Sequence, residues 1–276
     1  MEKIINGLRT NRAFAFSSFL VLLLLALAAA APLLSPYDPL EAAMKNAYLP
    51  PSAEHLFGTD KLGRDCFSRI LYGAGYSLSS VLLLVAVVFT VGTSLGVAAG
   101  YFGGKTDTVI MRVSDMMISF PGMILAIAIA GILGGSLVNA IIALTIVSWT
   151  KYARLARSMV LKIKKRDFVE AAAVNGGKPL HILWRHILPN ILPMMVITAA
   201  SDIGAMMMEL AGLSFLGFGS QPPAPEWGLM LNEGRQQLQT APWLMVFPGL
   251  AIFITVVVFN LWGDALRDVL DPRQDG

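Results

Sequence analysis

Two acidic side chains lie in a long stretch of the sequence that is otherwise uncharged. Asp202 and Glu209 are seven residues apart, which places both on one face of a helix, two turns from each other. Carboxylates inside a membrane are costly, and those that occur there usually face a cavity or a partner. We therefore predict that Asp202 lines a polar path or a subunit interface. Glu209 fits the same position, or a solvated one near the outer membrane surface.

Three consecutive methionines, Met206 to Met208, separate these two acids. Thioethers suit Cu(I) and imidazole suits nickel, and consecutive side chains point around a helix rather than at one ion. Flexible packing is therefore the favoured interpretation of the run, with Met206 kept as a further candidate for the path. The sequence leaves any metal ligands undefined.

Motifs of soluble enzymes are absent from the sequence. Gly176-Gly177-Lys178-Pro179 is the nearest approach to a phosphate-binding loop, and its proline and missing hydroxyl exclude that function. No His-Glu-x-x-His zinc motif, nucleophile elbow or dinucleotide fingerprint occurs. An enzyme working inside the membrane would need paired groups, and nothing pairs Asp202 or Glu209 with a nucleophile or a metal set. We predict that the chain is not an enzyme.

A short segment with an unusual run of small residues precedes the helix that holds the two acids. Glu170 is predicted to open a short helix in which three alanines present a thin face to which another protein's backbone can come close. Gly176 and Gly177 end that helix, and Pro179 follows as expected beyond a C-terminus. A second short helix, residues 180–187, leads to the next apolar stretch. The alternative is an ordinary loop whose Glu and Ala residues merely favour helix.

The elements that position these residues are predicted to be membrane helices. The 276 residues are 55% hydrophobic and 14% charged, against roughly 25% charged in a soluble domain. The single cysteine, Cys66, excludes an intrachain disulfide framework. About 20 apolar residues cross a bilayer, and six such spans are predicted: Phe14–Leu34, Leu78–Gly100, Ser119–Leu133, Leu137–Tyr152, Ile187–Leu210 and Trp243–Trp262. The first also resembles a signal peptide, although its apolar region exceeds the usual ~7–15 residues.

The positive charges predict the orientation. Nine of the 21 Lys and Arg residues fall between Lys151 and Arg185, and loops rich in these residues stay in the cytoplasm. Six spans then place both termini in the cytoplasm, in agreement with Lys3, Arg9 and Arg12. The histidines His181 and His186 fall in this inner segment and His55 in an outer loop. Four charged residues of that outer loop are predicted to pair with one another: Asp60, Arg64, Asp65 and Arg69.

Several segments carry a resemblance to a known family. Glu170-Ala171-Ala172, Gly176 at the sixth position after the glutamate, and Ile187-Leu188-Pro189 resemble the EAA signature of permease subunits in binding-protein-dependent ABC importers. Five further segments resemble the C-type permease of the dipeptide, oligopeptide and nickel branch: 55–69, 100–104, 211–217, 221–228 and 259–268. Asp202-Ile203-Gly204 followed by methionines, and Ser148-Trp149 before Lys151, look closer to nickel-type permeases than to dipeptide ones.

That resemblance implies an all-α integral membrane fold of six transmembrane helices, in which a five-helix permease core follows an N-terminal helix. Residues 1–70 would form the N-terminal helix and outer loop, and 71–276 the core, with a coupling loop at 160–186. The residues coupled to the ATPase would be Glu170, Ala171, Ala172, Gly176 and Gly177.

The implied partners are a second permease forming a heterodimer, two ATP-binding subunits inside, and a substrate-binding protein outside. ATP would bind only to partner subunits, and this chain would hold no cofactor. The implied location is the bacterial inner membrane. The substrate would be nickel ion or a nickel chelate, with di- or oligopeptides as the alternative. A self-sufficient channel or secondary transporter is the competing class, and it would need no ATPase partners.

Overall fold

The computed structural model describes residues 11–270, which form helices and loops and contain no β-strand. We number the α-helices in chain order: α1 Arg12–Ala29, α2 Ala31–Leu34, α3 Cys66–Phe102, α4 Gly104–Ile118, α5 Gly122–Leu133, α6 Leu137–Lys164, α7 Asp167–Val174, α8 Pro179–Ile182, α9 Leu188–Phe215, α10 Trp227–Gly234 and α11 Trp243–Leu270. Short 3₁₀ turns occur at Met44–Asn46 and Arg235–Gln237, and a π-helical turn at Leu183–Ile187. The predicted all-helical fold class is confirmed.

The first predicted span is two helices. The Asn11 side chain accepts from the Phe14 N–H and caps α1. A break at Ala30 then separates α1 from the four-residue α2, which has Pro32 in its first turn. Proline suits a first helical turn because the N–H groups there have no partner within the helix. Lys3 and Arg9, which support the predicted inner N-terminus, lie outside the described residues.

Helix α3 is the longest element, with 37 residues, or about 56 Å. It packs along α6 through three glycines at four-residue spacing, Gly92, Gly96 and Gly100. A side-chain carbon on any of them would overlap α6; at Gly100 it would lie 2.9 Å from Cβ of Val160. Small residues at this spacing let two membrane helices approach closely. The boundary predicted near residue 70 falls inside α3, so no structural break accompanies it, and the division at 70 stays a prediction.

The third predicted span, Ser119–Leu133, corresponds to α5, the second helix of a bent pair. α4 and α5 meet at Ser119–Pro121 and are bent by 94°. α5 alone has 12 residues, or about 18 Å, too short for an apolar layer of about 30 Å. Gly134 has φ +88° and ends α5, and the Ser136 hydroxyl accepts from the Asn139 N–H at the start of α6. The break predicted at this point is confirmed.

Four helical segments are long and apolar enough to cross a membrane: α1, α3, the continuous segment Pro179–Phe215 and α11. The bent pair α4–α5 would make a fifth. The remaining predicted span, in α6, is apolar only to Thr150 and then continues through basic residues to Lys164, so it does not count among the apolar spans. The chain is thus a multi-pass membrane protein in which the sixth crossing stays a prediction.

The buried core lies between α3, α6, α9 and α11. It includes Leu84, Val88, Leu144, Tyr152 and Met195, each at most 2% exposed. α9 packs against α11, where Gly263 lies so close to Ser201 that a side-chain carbon would sit 2.7 Å from the serine Cα. α1 lies against α11 and α3 at the edge of this bundle.

Candidate functional site

The predicted coupling segment forms a short helix, α7, between the two long elements α6 and Pro179–Phe215. It begins at Asp167, three residues before Glu170, because the Arg166 carbonyl accepts from the N–H groups of Val169 and Glu170 at 2.9 and 3.1 Å. Glu170 therefore lies within the first turn rather than at the start. Val169 is buried against the core, whereas Glu170 and Ala171 are exposed and Ala172 is half-buried.

Two glycines end α7 in different ways. Gly176 has φ +79° with open space around it, a left-handed conformation that side chains other than glycine adopt at a cost. The Gly177 N–H donates to the Ala172 carbonyl at 3.0 Å, and a side-chain carbon at Gly177 would lie 2.6 Å from that oxygen. Glycine is thus favoured at position 176 by the positive φ and at position 177 by the lack of room for a side chain. The predicted helix end is confirmed.

The second short helix predicted at residues 180–187 is not a separate element, which corrects that prediction. Pro179–Ile182 continues through the π turn Leu183–Ile187 directly into α9. Proline at the start of α8 loses no helical hydrogen bond, and two further prolines, Pro189 and Pro193, lie inside the continuous segment after the π turn. α7 is therefore followed, after a four-residue turn, by one continuous helical segment that carries both Asp202 and Glu209.

Two contacts fix the inner end of this segment to α3. The Tyr101 hydroxyl donates to the Pro179 carbonyl at 2.7 Å, and the Lys164 ammonium donates to the Tyr101 carbonyl at 2.8 Å. Beside them, apolar side chains stay open: Val174 is 87% exposed and Trp184 is 70% exposed. We call α7 and the turn to Pro179 the coupling segment, after its predicted role. Its solvent-exposed surface includes the small Ala171 and the apolar Val174.

Asp202 lies at the contact of α9 with α6. Its carboxylate accepts from the Lys151 ammonium at 2.6 and 2.8 Å and from the Tyr152 hydroxyl at 3.0 Å. The carboxylate side chain is 13% exposed and the lysine side chain 60%. Lys151 falls at the end of the fourth predicted span, where the basic segment begins, and the structure holds it within α6, which continues to Lys164.

The other two path candidates, Met206 and Glu209, differ in how far their side chains are exposed. Met206 is 5% exposed and packs in the main core, and its place among the path candidates stays a prediction. Glu209 is partly exposed on the same helix as Asp202, and Met208 beside it is 56% exposed. Among residues 11–270, no group of three His, Cys, Asp or Glu side chains could hold a metal ion.

Basic residues of α6 beyond Lys151 are paired with α4. Arg157 donates to Asp107 at 2.6 Å and Arg154 donates to Asp115 at 2.6 Å. These two pairs compensate two of the five basic residues that α6 carries after Thr150, and sequence reasoning missed them. The signal available was the pair of acids Asp107 and Asp115 at two-turn spacing in an amphipathic segment.

The loop between α2 and α3, which is predicted to lie outside, takes part in a buried ionic cluster with α3 and α10, which we define as Asp60, Arg64, Arg69 and Glu233. Arg64 donates to Asp60 at 2.6 Å and to Glu233 at 3.2 Å, and Arg69 donates to Glu233 at 2.8 Å. Asp65, predicted to join the cluster, instead accepts from the Ser68 N–H at 2.7 Å, caps α3, and contacts His55 Nδ1 at 2.9 Å.

Sequence reasoning missed Glu233, which lies 164 residues from Arg69 on α10. α10 itself is capped by Glu226, whose carboxylate accepts from the N–H groups of Gly228 and Leu229 at 2.8 and 2.9 Å. Burial raises the pKa of the Glu226 carboxyl above its usual value despite these two bonds. The cluster therefore joins the outer loop to a well-formed short helix.

Comparisons with known proteins agree with this architecture. Residues 92–276 match the family described as "Binding-protein-dependent transport system inner membrane component", and residues 3–51 match the "N-terminal TM domain of oligopeptide transport permease C". In a search of solved structures, the chain resembles an inward-facing form of the MetNI methionine ABC transporter, with a TM-score of 0.58 and 20% identity. That likeness covers 74% of this chain and 97% of the other and supports the fold.

Three curated relatives share most of the chain. The dipeptide transport system permease protein DppC of Alkalihalophilus pseudofirmus is 46% identical, covering 88% of this chain and 80% of the relative. The nickel transport system permease protein NikC of Escherichia coli K12 is 44% identical, covering 92% and 93%. The glutathione transport system permease protein GsiD of Pectobacterium atrosepticum is 46% identical, covering 96% and 88%. The predicted transport role, rather than a catalytic one, is confirmed.

Proposed function

Because the chain belongs to the binding-protein-dependent transport system inner membrane components, as a permease subunit of an ABC importer, we propose that it forms half of a path for a nickel chelate. The path opens alternately to the two sides of the membrane. A di- or oligopeptide is the second candidate substrate, favoured by the relatives named for dipeptide and glutathione transport. The nickel candidate is favoured by the relative named for nickel transport, which matches almost end to end.

The observation that carries the alternating-access proposal is the position of the coupling segment. α7 exposes Glu170 and Ala171 and continues within a few residues into the helical segment that holds Asp202. Closure of two ATP-binding subunits against this segment would move it, and the continuous Pro179–Phe215 segment would tilt with it. Ala171 and Ala172 would pack into the ATPase groove, and Gly176 and Gly177 would keep α7 at its required length.

The form in which nickel would cross follows from the side chains on the path face. Asp202 is already bonded to Lys151 and Tyr152, and no three ligand-type side chains gather among the described residues. Ni²⁺ stripped of its ligands would need several nitrogen or oxygen donors in return. A nickel chelate keeps its own metal-coordinating atoms. Like a peptide, it therefore needs an open path but no metal ligands from the protein.

The remaining subunits follow from the same assignment. ABC importer permeases work with ATPase and substrate-binding partners, so ATP is used on partner subunits. We propose a second permease of the same branch as the other half of the path, cytoplasmic termini, and an outer loop before residue 70 that faces the substrate-binding protein.

Uptake by cells that carry the complete transporter tests the proposal. Radiolabelled nickel is supplied with excess histidine as chelator, with and without excess dipeptide, to cells with the wild-type chain or Gly176→Asp. We expect nickel uptake that dipeptide leaves unchanged and that the variant reduces strongly, because a side chain at φ +79° distorts the end of α7. Gly103→Asp, at φ +66° with equally open surroundings but outside the coupling segment, is the matched control.

Each alternative result has a separate meaning. Dipeptide uptake without nickel uptake would retain the permease and replace the substrate by the second candidate. Uptake that Gly176→Asp leaves unchanged, with normal amounts of the chain in the membrane, would refute the coupling proposal. Uptake that persists when the ATP-binding subunits are deleted would favour a self-sufficient transporter instead.

A further inference from the structure

The Lys151–Asp202 pair lies at a depth where a charged side chain exposed to lipid would be unfavourable. Lys151 is 14 residues from the outer end of α6 at Leu137, and Asp202 is 13 residues from the outer end of α9 at Phe215. At 1.5 Å per residue both lie about 20 Å below those ends, within an apolar layer about 30 Å thick. Two bonds to Asp202 hold the ammonium beside this carboxylate.

A lysine that is 60% exposed at that depth cannot face lipid without a large cost. Its exposed side must therefore meet water or a polar partner. Asp202 is the opposite case: at 13% exposure it is mostly enclosed, and it is fixed from behind by the hydroxyl of Tyr152. Asp202 is thus held in place by Tyr152, and Lys151 is bonded to the exposed side of its carboxylate.

The support behind the pair is rigid. Tyr152 is fully buried, its ring lies edge-on to Phe89 at 6.1 Å, and its Cβ occupies the space that Gly92 leaves open on α3. A packed helix interface that holds a charged group in place favours ligand binding. Less conformational entropy is then lost when the ligand binds.

The ligand chemistry follows from the free donors. An ammonium has three N–H bonds, and Asp202 takes two of those on Lys151. The third is free for an oxygen of the solute. Glu209 lies two turns nearer the outer end on the same face and is partly exposed, so it offers a carboxylate to an amino group.

We propose that Lys151, held by Asp202, and Glu209 form a transient station in the path for a solute that carries both a carboxylate and an amino group. The station deepens, and rests on, the proposed function: a short peptide carries both groups free, and in a histidine chelate of nickel the metal-bound amino group keeps its N–H bonds and the carboxylate keeps a second oxygen for hydrogen bonding. The carboxylate bonds to Lys151 while the amino group faces Glu209, so neither end of the solute crosses the apolar layer uncompensated.

Charge substitutions in the complete transporter test the station. Lys151→Met removes the donor, and Lys151→Glu with Asp202→Lys reverses the pair while keeping an ion pair between α6 and α9. The probes are radiolabelled alanyl-alanine and radiolabelled nickel with excess histidine, and the one that the wild type imports is used. Stimulation of the ATPase by the substrate-binding protein reports assembly and coupling without any passage of solute. Lys105→Met, an exposed lysine of α4, is the control.

We expect Lys151→Met to lower uptake on the order of tenfold, as for loss of a charged hydrogen bond. The reversed pair should restore ATPase stimulation but not uptake, because the ion pair is kept while the charge that faces the solute is inverted. If the reversed pair restores uptake as well, or if Lys151→Met leaves uptake unchanged, the station does not exist and the pair only ties two helices. Absence of ATP-dependent uptake of either probe in the wild type would instead refute the proposed function.

Discussion

Removal of one carboxylate from the buried ionic cluster should destabilise the outer half of the protein. Arg64 and Arg69 are 2% and 1% exposed, and their two charges are balanced by Asp60 and Glu233 at 9% and 10%. The substitution Glu233→Gln leaves two buried guanidinium groups with one carboxylate. Breaking a buried pair on one side costs about 3–5 kcal/mol, because the remaining charge stays buried without compensation.

The cost should appear in thermal unfolding of the purified permease complex as a lower midpoint, on the order of 10 °C. Combining Glu233→Gln with Arg69→Met returns the cluster to neutrality, and we expect it to recover at least half of the lost stability. Lys61→Met is the matched control. Its ammonium lies 3.6 Å from Glu233 but its side chain is 47% exposed, and an exposed pair contributes roughly 0–1 kcal/mol.

A double-mutant cycle separates charge balance from simple loss of contacts. If Glu233→Gln lowers the free energy of unfolding by less than about 1 kcal/mol, or if the double variant is as unstable as the two single losses added, the reasoning from buried charge is wrong. An equal effect of Lys61→Met would also contradict it, because exposure would then make no difference.

Four further substitutions test close packing, and one tests a helix cap. Gly96→Ala should prevent assembly because its methyl group would overlap the α6 backbone, whereas Gly75→Ala in the same helix, with the nearest atom at 3.9 Å, should be harmless; recovery of the complex from membranes distinguishes them. Gly263→Ala should be more damaging than Gly204→Ala in thermal unfolding, since the first meets backbone on α9 and the second chiefly the mobile end of a side chain. Asp65→Ala removes the cap of α3 and should cost about 1 kcal/mol of unfolding free energy, whereas an unchanged midpoint would show that the cap is dispensable.

Local patterns were sufficient to predict several features. The low charge content and the apolar stretches predicted a helical membrane protein, because uncharged runs of about 20 residues match the length of a helix that crosses a bilayer and satisfies its own backbone groups. Gly134 with Gly135, and Gly176 with Gly177, predicted the two tight breaks, because glycine is the residue that adopts the required conformation at Gly134 and Gly176 without strain. The segments that resemble the permease family predicted a transport role that the relatives confirm.

Predictions that depended on where a helix ends were less accurate. The fourth predicted span ends at Tyr152, where basic residues become frequent, yet α6 continues for a further 12 residues to Lys164. Two of those residues, Arg154 and Arg157, are compensated by acids of α4, a helix that lies before the third predicted span and that the sequence analysis did not predict. A hydropathy profile assigns one value to each residue. It therefore cannot show that the charge of that residue is neutralised by another residue distant in the sequence.

The sequence by itself determined which residues are chemically unusual: acids in an apolar stretch, small residues ahead of it, and charges in an outer loop. Tertiary structure alone decided the partners of those residues. Asp202 meets Lys151 from 51 positions away, and Arg69 meets Glu233 from 164. An ion pair forms wherever the packing of helices brings opposite charges within reach, and in this chain that packing is set by glycines on other faces of α3 and α11.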